Sequence, residues 1–173
     1  ADIFGQSADI DQLMRIANKY NLKVISDTAQ SPGAFYKGKY AGTLTHIGGF
    51  SLNYHKHIHC GEGGLVVTND NKLAEKVKLI RNHGEAVIQS NDPKQLANIL
   101  GQNFRLGEIE ASIAREQLKK LKGFINSRQA AADRLRAGLR GLKGLKLPII
   151  ADQCTHVYYV FGLIITDKTM IEK

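Results

Sequence analysis

The chain is poor in cysteine, with Cys60 and Cys154 the two thiols in 173 residues. That is too few for a disulfide framework, so a hydrophobic core has to hold the fold. No apolar run approaches the roughly 18 to 20 residues of a membrane helix. Nor does a basic segment followed by an apolar stretch open the chain, as a secretory leader would. A reducing cytoplasm is the expected compartment. Two glycine fingerprints are absent as well: no strand leads into G-x-G-x-x-G, and no glycine loop ends in Lys-Ser or Lys-Thr. Gly61-Glu62-Gly63-Gly64 is glycine-rich but precedes a strand, which by itself implies a tight turn and close backbone approach. There is no internal repeat and no low-complexity tract.

The remaining composition suits a folded domain. Hydrophobic residues make up 43% of the chain and charged residues 23%. The net charge is +8, and its location is uneven. Residues 115–146 hold ten basic side chains against Glu116 and Asp133, while the rest of the chain is balanced. Such a stripe fits a solvated helix face, a phosphate, nucleic acid or an acidic partner.

Hydrophobic spacing predicts a helix from Asp9 to Tyr20, with Leu13, Ile16, Ala17 and Tyr20 on one face and Ser7 or Asp9 as its cap. Lys23 to Asp27 reads as a short buried strand ending in a carboxylate. Ser31-Pro32-Gly33 and Gly38 to Gly42 mark a loop, followed by strands at Gly48 to Asn53 and Gly64 to Thr68. Asn69 or Asp70 caps a helix carrying Leu73, Val77 and Ile80 and stopped by Gly84. Residues 86–102 read as an irregular section. From Glu108 the pattern is helical, and Leu118, Leu121, Ile125, Ala132, Leu135, Leu139 and Leu142 form a seam interrupted by Arg128, with a bend expected near Gly123. Tyr158 to Ile165 reads as a strand. Alternating strands and helices imply an α/β layer protein with a largely parallel sheet, whose ligands bind beyond the carboxyl ends of the strands, near Asp27 and the segment after Ser51.

His55, His57, His59 and Cys60 lie within six residues, a composition that invites a metal. Alternation along an extended chain spaces these imidazoles about 6 to 7 Å apart, too far for neighbouring ligands of one tetrahedral ion. Lining a polar crevice, or satisfying loop backbone, is the simpler role. No metal is expected. Lys56, among glycine turns directly after a strand, fits a partly desolvated amine with nucleophilic character, although an isolated lysine is ordinarily a surface charge.

Four ordered motifs carry a family resemblance. They are Asp27-Thr28-Ala29-Gln30-Ser31-Pro32-Gly33-Ala34, Gly42-Thr43, Phe50-Ser51-Leu52-Asn53-Tyr54-His55-Lys56 and Gly61-Glu62-Gly63-Gly64-Leu65-Val66-Val67-Thr68. Arg81-Asn82-His83-Gly84 and Gly101 to Leu106 extend them. In order and spacing the chain resembles the pyridoxal-phosphate-dependent sugar aminotransferases of the DegT/StrS type, over about residues 5 to 165.

The resemblance implies a fold type I transferase, with a mostly parallel sheet flanked by helices. Residues 1–125 are then an incomplete large cofactor-binding domain, and 126–173 the linking helix and start of a small C-terminal domain. It further implies that Lys56 bonds covalently to the aldehyde of pyridoxal 5'-phosphate and that Asp27 holds the proton on the ring nitrogen. Gln30 then lies against the ring or its phenolic oxygen, and Ser51 donates to the phosphate. Asn103 reaches the phosphate of a neighbouring subunit's cofactor, hence a homodimer with shared active sites. The implied reaction moves an amino group from glutamate to a nucleotide-linked keto sugar, in amino-sugar or surface-polysaccharide biosynthesis. The other readings are an inactive fragment of such an enzyme, or a basic helical module that binds nucleic acid or an acidic partner.

Overall fold

The computed structural model describes residues 1–85 and 99–167. Helix α1 spans Ile10–Lys19 and is started by Asp9, whose carboxylate accepts the Gln12 N–H at 3.2 Å. Strand β1, Ile25–Asp27, follows; β2 is Phe35–Tyr36 and β3 Lys39–Tyr40. Strand β4 is Ile47–Ser51, β5 is Gly64–Val67 and helix α2 is Asn71–Arg81. Asp70 caps α2, its Oδ1 accepting from Lys72 N at 2.8 Å and Leu73 N at 3.2 Å. A cap of this kind is worth about 1 kcal/mol. Helix α3 covers Glu108–Leu139, and the short strands β6, Leu145–Lys146, and β7, Ile164–Ile165, close the described chain.

The central sheet has the order β1-β4-β5. Its β1–β4 pair is parallel, with Asp27 opposite Gly49, and β5 joins β4 antiparallel, with Ser51 opposite Gly64. Among the described residues the parallel part of the expected sheet is therefore this one pair. The separate β6–β7 and β2–β3 pairs are antiparallel. Hairpin β2–β3 was expected only as loop. Lys37 and Gly38 both take positive φ, at 50° and 75°, the pattern of a two-residue turn that matches strand twist.

Helix α3 is continuous over 32 residues and does not break at Gly123, so the 125/126 division lies inside it. Its Ile125 packs on the cluster Ala34, Ala41 and Val157, and Leu121 on Leu52, Ile58 and Cys60. Burying side chains such as Val157 and Leu52 contributes roughly 1.5–3 kcal/mol each. These clusters tie the loop after β4 and the 156–158 segment to one helix.

Three expectations about burial and extent change. The first is at β1, which was read as buried from Lys23 to Asp27 but spans Ile25–Asp27 and buries Ser26 alone, with Ile25 and Asp27 exposed. On α1 the buried residues are Ile10 and Ala17, whereas Leu13, Ile16 and Tyr20 are exposed. The strand expected over 158–165 reduces to Ile164–Ile165. His156, Val157 and Tyr158 are buried consecutively, and Tyr158 has φ +49°, which breaks strand alternation. The irregular section expected at 86–102 falls largely on residues 86–98, outside the described residues.

Candidate functional site

The site is built where the parallel pair ends. Asp27 is the last residue of β1, and the next residue, Thr28, donates its N–H to Gly49 O at 2.8 Å. Ser51 ends β4 two residues beyond Gly49. Both strand ends open into one cleft of about 1420 Å³, lined by Asp27, Ala29, Ser51, Thr68, Arg81 and Phe104 among others. Helix α2 contributes Val77 and Ile80 to the same wall.

Glycine makes the close approach of β4 and the loop at Gly42 possible. A Cβ on Gly48 would collide with the Gly42 carbonyl oxygen, and Gly42 itself has φ +80° and backs onto the Phe50 ring and the Thr28 hydroxyl.

Asp27 is exposed and its Oδ1 accepts the Ala29 N–H at 3.1 Å. Ser51 Oγ accepts the Asn53 N–H at 3.2 Å, which leaves the hydroxyl hydrogen free to point elsewhere. Asn53 then shapes the turn that carries the lysine. Its carbonyl accepts from Lys56 N at 2.9 Å, its Oδ1 from His55 N at 3.1 Å, and its Nδ2 donates to Glu62 Oε1 at 2.7 Å. The base of the loop is closed by Leu52 N to Gly63 O at 2.8 Å and Cys60 N to Leu52 O at 3.0 Å.

Lys56 is half-buried, with Nζ 4.9 Å from the centroid of the Tyr159 ring. The ion pairs found among the described residues, Lys37–Asp11 and Lys119–Glu116, do not involve it. The structure thus brings Asp27 and Ser51 to one cleft and places Lys56 in the loop that leaves it. Gln30 and Asn103 do not line the cleft. Gln30 Oε1 accepts the Phe4 N–H at 2.8 Å. Asn103 is exposed, bridges to Asn82, and accepts the Arg105 N–H at 3.4 Å, while its neighbours Phe104 and Leu106 face the cleft.

The three histidines separate. His55 is exposed and stacks on Tyr54 with centroids 3.8 Å apart, and His59 is half-buried. His57 is buried, and its Nε2–H donates to Val157 O at 3.0 Å, so Nδ1 is the unprotonated nitrogen of the neutral ring and has no partner among the described residues. Burial, reinforced by the charges of Arg128 and Lys56, pushes the His57 imidazole below its usual range, against the Val157 hydrogen bond.

Part of the basic stripe is structural. Arg128 Nη1 donates to Tyr158 O at 3.1 Å, and Arg136 Nη2 donates to the Tyr158 hydroxyl at 3.1 Å. The sequence reading missed Asn53, Tyr159 and Arg128 as parts of the lysine's surroundings. An asparagine two residues past a strand end is a turn signal that could have found the first. Tyr159 is contributed by a segment about a hundred residues away, beyond any local pattern.

This fold has clear counterparts. The X-ray structure of S. venezuelae DesV in complex with a ketimine intermediate superposes with a TM-score of 0.87 at 32% identity, over 98% of this chain and 44% of that one. Helicobacter pylori PseC, an aminotransferase involved in the biosynthesis of pseudoaminic acid, gives 0.86 at 28% identity over 98% and 45%. The architecture is an α/β part of the pyridoxal-phosphate-dependent aminotransferase fold, covering under half of those chains. The DegT/DnrJ/EryC1/StrS aminotransferase family matches residues 1–173, and the chain belongs to it.

Among curated relatives, the dTDP-3-amino-3,4,6-trideoxy-alpha-D-glucose transaminase of Streptomyces venezuelae is 35% identical over 160 residues, 92% of this chain and 41% of that protein. The GDP-perosamine synthase of Caulobacter vibrioides is 32% identical over 160 residues, 92% and 42%. The chain thus spans under half the length of these relatives. Among the described residues no helix is long and apolar enough to cross a membrane.

Proposed function

We propose that the protein is a pyridoxal-phosphate-dependent aminotransferase that moves an amino group, from glutamate, onto a nucleotide-linked keto sugar. The observation that carries this reading is the placement of Asp27 and Ser51 at adjacent parallel strand ends on one cleft, with Lys56 in the loop that follows. The donor set fits the cofactor: a carboxylate for a protonated ring nitrogen, a hydroxyl with its hydrogen available for a phosphate oxygen, and a primary amine for an aldehyde. When bound, pyridoxal phosphate supplies an electron-withdrawing ring that stabilises negative charge at a substrate α-carbon.

The residues of the chain do the rest. Asp27 holds the proton at the ring nitrogen. Ser51 donates to the phosphate. Gln30, with Oε1 engaged by Phe4 N–H, keeps its Nε2 hydrogens as donors and would orient the cofactor from beside the cleft. Lys56 would offer its primary amine to the aldehyde carbon of the bound cofactor, with water as the leaving group, and as a free amine would carry the proton of a substrate α-carbon. Asn103, exposed at the cleft's margin, reaches the site of a second copy, which makes the working unit a homodimer with shared active sites.

The substrate class rests on the relatives. Besides the transaminase and perosamine synthase above, a 35% identical Campylobacter jejuni relative over 74% of this chain is a UDP-4-amino-4,6-dideoxy-N-acetyl-beta-L-altrosamine transaminase. On that basis we place the protein in the cytoplasm, in amino-sugar or surface-polysaccharide biosynthesis. We assign residues 1–125 to the large domain and 126–173 to the linking helix and the start of the small one.

The test is to incubate the protein with pyridoxal phosphate, reduce with borohydride and map the modified peptide. Attachment at Lys56, followed by glutamate-dependent amination of a dTDP- or GDP-linked keto sugar, is expected. Attachment at another lysine, or none, overturns the reading.

A further inference from the structure

The Tyr159 ring and the Val157 carbonyl, both outside the proposed cofactor contacts, meet the lysine and its loop. Lys56 Nζ sits 4.9 Å from the Tyr159 ring centroid, inside the range of about 6 Å over which a ring face attracts an ammonium. The next residue, His57, has its ring 5.8 Å from the same tyrosine and donates to Val157 O at 3.0 Å. Consecutive residues of the 52–63 loop therefore grip alternate residues of the 157–159 segment.

That segment belongs to no strand; Val157 N donates to Gly5 O at 2.7 Å and Val160 N to Phe4 O at 3.2 Å, and side chains of α3 hold its carbonyl groups. Arg128 Nη1 donates to Tyr158 O at 3.1 Å and lies 3.5 Å from Tyr159 O, and Gln129 Nε2 donates to His156 O at 3.1 Å. Arg128 is the residue that interrupts the apolar seam of α3. A buried hydrocarbon at that place would pack the helix but leave two carbonyl groups without this donor, which explains an arginine where periodicity favours leucine.

We propose that Tyr159 is a positioning residue for the Lys56 amine, its ring face holding the ammonium in place, and that Arg128 fixes Tyr159 through its backbone. The inference rests on the reading of Lys56 as the cofactor-bonding amine. A ring face suits that duty better than a carboxylate. It attracts the cation without the strength or directionality of an ion pair, so the amine is held near the cleft and still released to react. The phenol hydroxyl has no part in this.

The test follows lysine reactivity in the full chain, free of cofactor. The chain is pulsed with acetic anhydride at trace level and the Lys56 peptide is quantified by mass spectrometry, with exposed Lys143 as internal reference. Tyr159→Leu removes the ring face and is expected to speed Lys56 acetylation about three- to tenfold. Tyr159→Phe keeps the face and should stay within about twofold of the native rate, a rescue that a merely space-filling tyrosine hydroxyl network would not give. Arg128→Gln leaves the ring in place but frees its backbone, and is expected to raise the rate at least about twofold.

Native rates in both Tyr159→Leu and Arg128→Gln overturn the proposal, as does equal acceleration by Phe and Leu. Should Tyr159→Leu fail to fold, the Phe and Gln variants decide: a native rate in Phe with acceleration in Gln supports it, and any other pair overturns it. Borohydride trapping of pyridoxal phosphate in the native chain reports separately on Lys56. Loss of trapping there removes the functional reading, while trapping with unchanged labelling removes only this inference.

Discussion

The Thr28 hydroxyl donates to the Asp2 carboxylate across 2.6 Å, and both residues are almost fully buried. Asp2 also accepts the Ala8 N–H at 2.9 Å and, through its carbonyl, the Ser31 hydroxyl at 2.7 Å, while its own N–H donates to Asp27 O at 2.8 Å. The start of the chain is thereby welded to the end of β1, where the site's carboxylate stands. Asp2→Ala leaves the Thr28 hydroxyl and the Ala8 N–H buried without an acceptor, at a cost of about 2–5 kcal/mol. Asp2→Asn keeps one acceptor, and the Thr28 hydroxyl can turn to accept from the amide, so it costs less. Urea unfolding midpoints of the two variants check the order, and an Ala variant as stable as the native chain refutes it.

Asp27 and its amide analogue differ in charge and hardly in shape. The amide oxygen introduced by Asp27→Asn can still accept the Ala29 N–H, so this variant is expected to fold normally and to be trapped on Lys56 by borohydride. Without the carboxylate, a ring nitrogen at the end of β1 loses the group that keeps it protonated. Amino transfer should fall on the order of 100-fold or more, as for removal of one preorganised electrostatic group. Single-turnover reaction with glutamate measures it, and a rate within a few-fold of native would assign the carboxylate another role.

What could be read from the sequence was local. Asp70 as a cap, Asp27 at a strand end, and the glycine turns around Lys56 all follow from dihedral preferences and short-range hydrogen bonds, whereas β4 stops at Ser51, two residues short of the expected Asn53. The β2–β3 hairpin escaped because two-residue strands have no period to detect, though Lys37-Gly38 carries the turn. Apolar spacing on α1 correctly gave a helix, but it marks a stripe without saying what covers it, and Leu13, Ile16 and Tyr20 remain exposed. The inward fold of His156 to Tyr158 and the seat of Lys56 on Tyr159 depend on contacts about a hundred residues apart. No window of local pattern contains both partners.

Two glycines should respond in opposite senses to alanine. At Gly48 a methyl group meets the Gly42 carbonyl oxygen, a backbone atom that cannot move without shifting β4 and Ser51 with it. Gly48→Ala is expected to destabilise by about 1–3 kcal/mol. Gly123 lies mid-helix in α3 with nothing within 4 Å of the place a methyl would occupy. Gly123→Ala should stabilise by about 0.5–1 kcal/mol, because the unfolded chain loses freedom and no contact is disturbed. Chemical denaturation of both variants checks the pair. A stabilising Gly48→Ala would mean that the Gly42 loop can move away from β4 without strain.

Acid should loosen the grip of the 156–159 segment on the Lys56 loop. Burial holds both His57 and His156 below the ordinary imidazole value of 6.5, with Arg128 and Lys56 adding to the effect at His57 and Arg136 at His156. The groups facing His57 are cationic or aromatic, namely Arg128, Lys56 and Tyr159, and no carboxylate is among the causes of its shift. Because the folded pKa lies below the unfolded one, the unfolded chain binds more protons on the acid side. The stabilising contribution is therefore complete above about pH 6.5 and is lost as pH falls through the folded value, with a slope of at most about 1.4 kcal/mol per pH unit for each proton taken up on unfolding. Urea midpoints measured from pH 7 down to pH 5 should fall accordingly. His57→Gln keeps a donor for Val157 O but cannot titrate, and its midpoints should vary less over the same interval. An equal slope in the variant would place the acid sensitivity elsewhere.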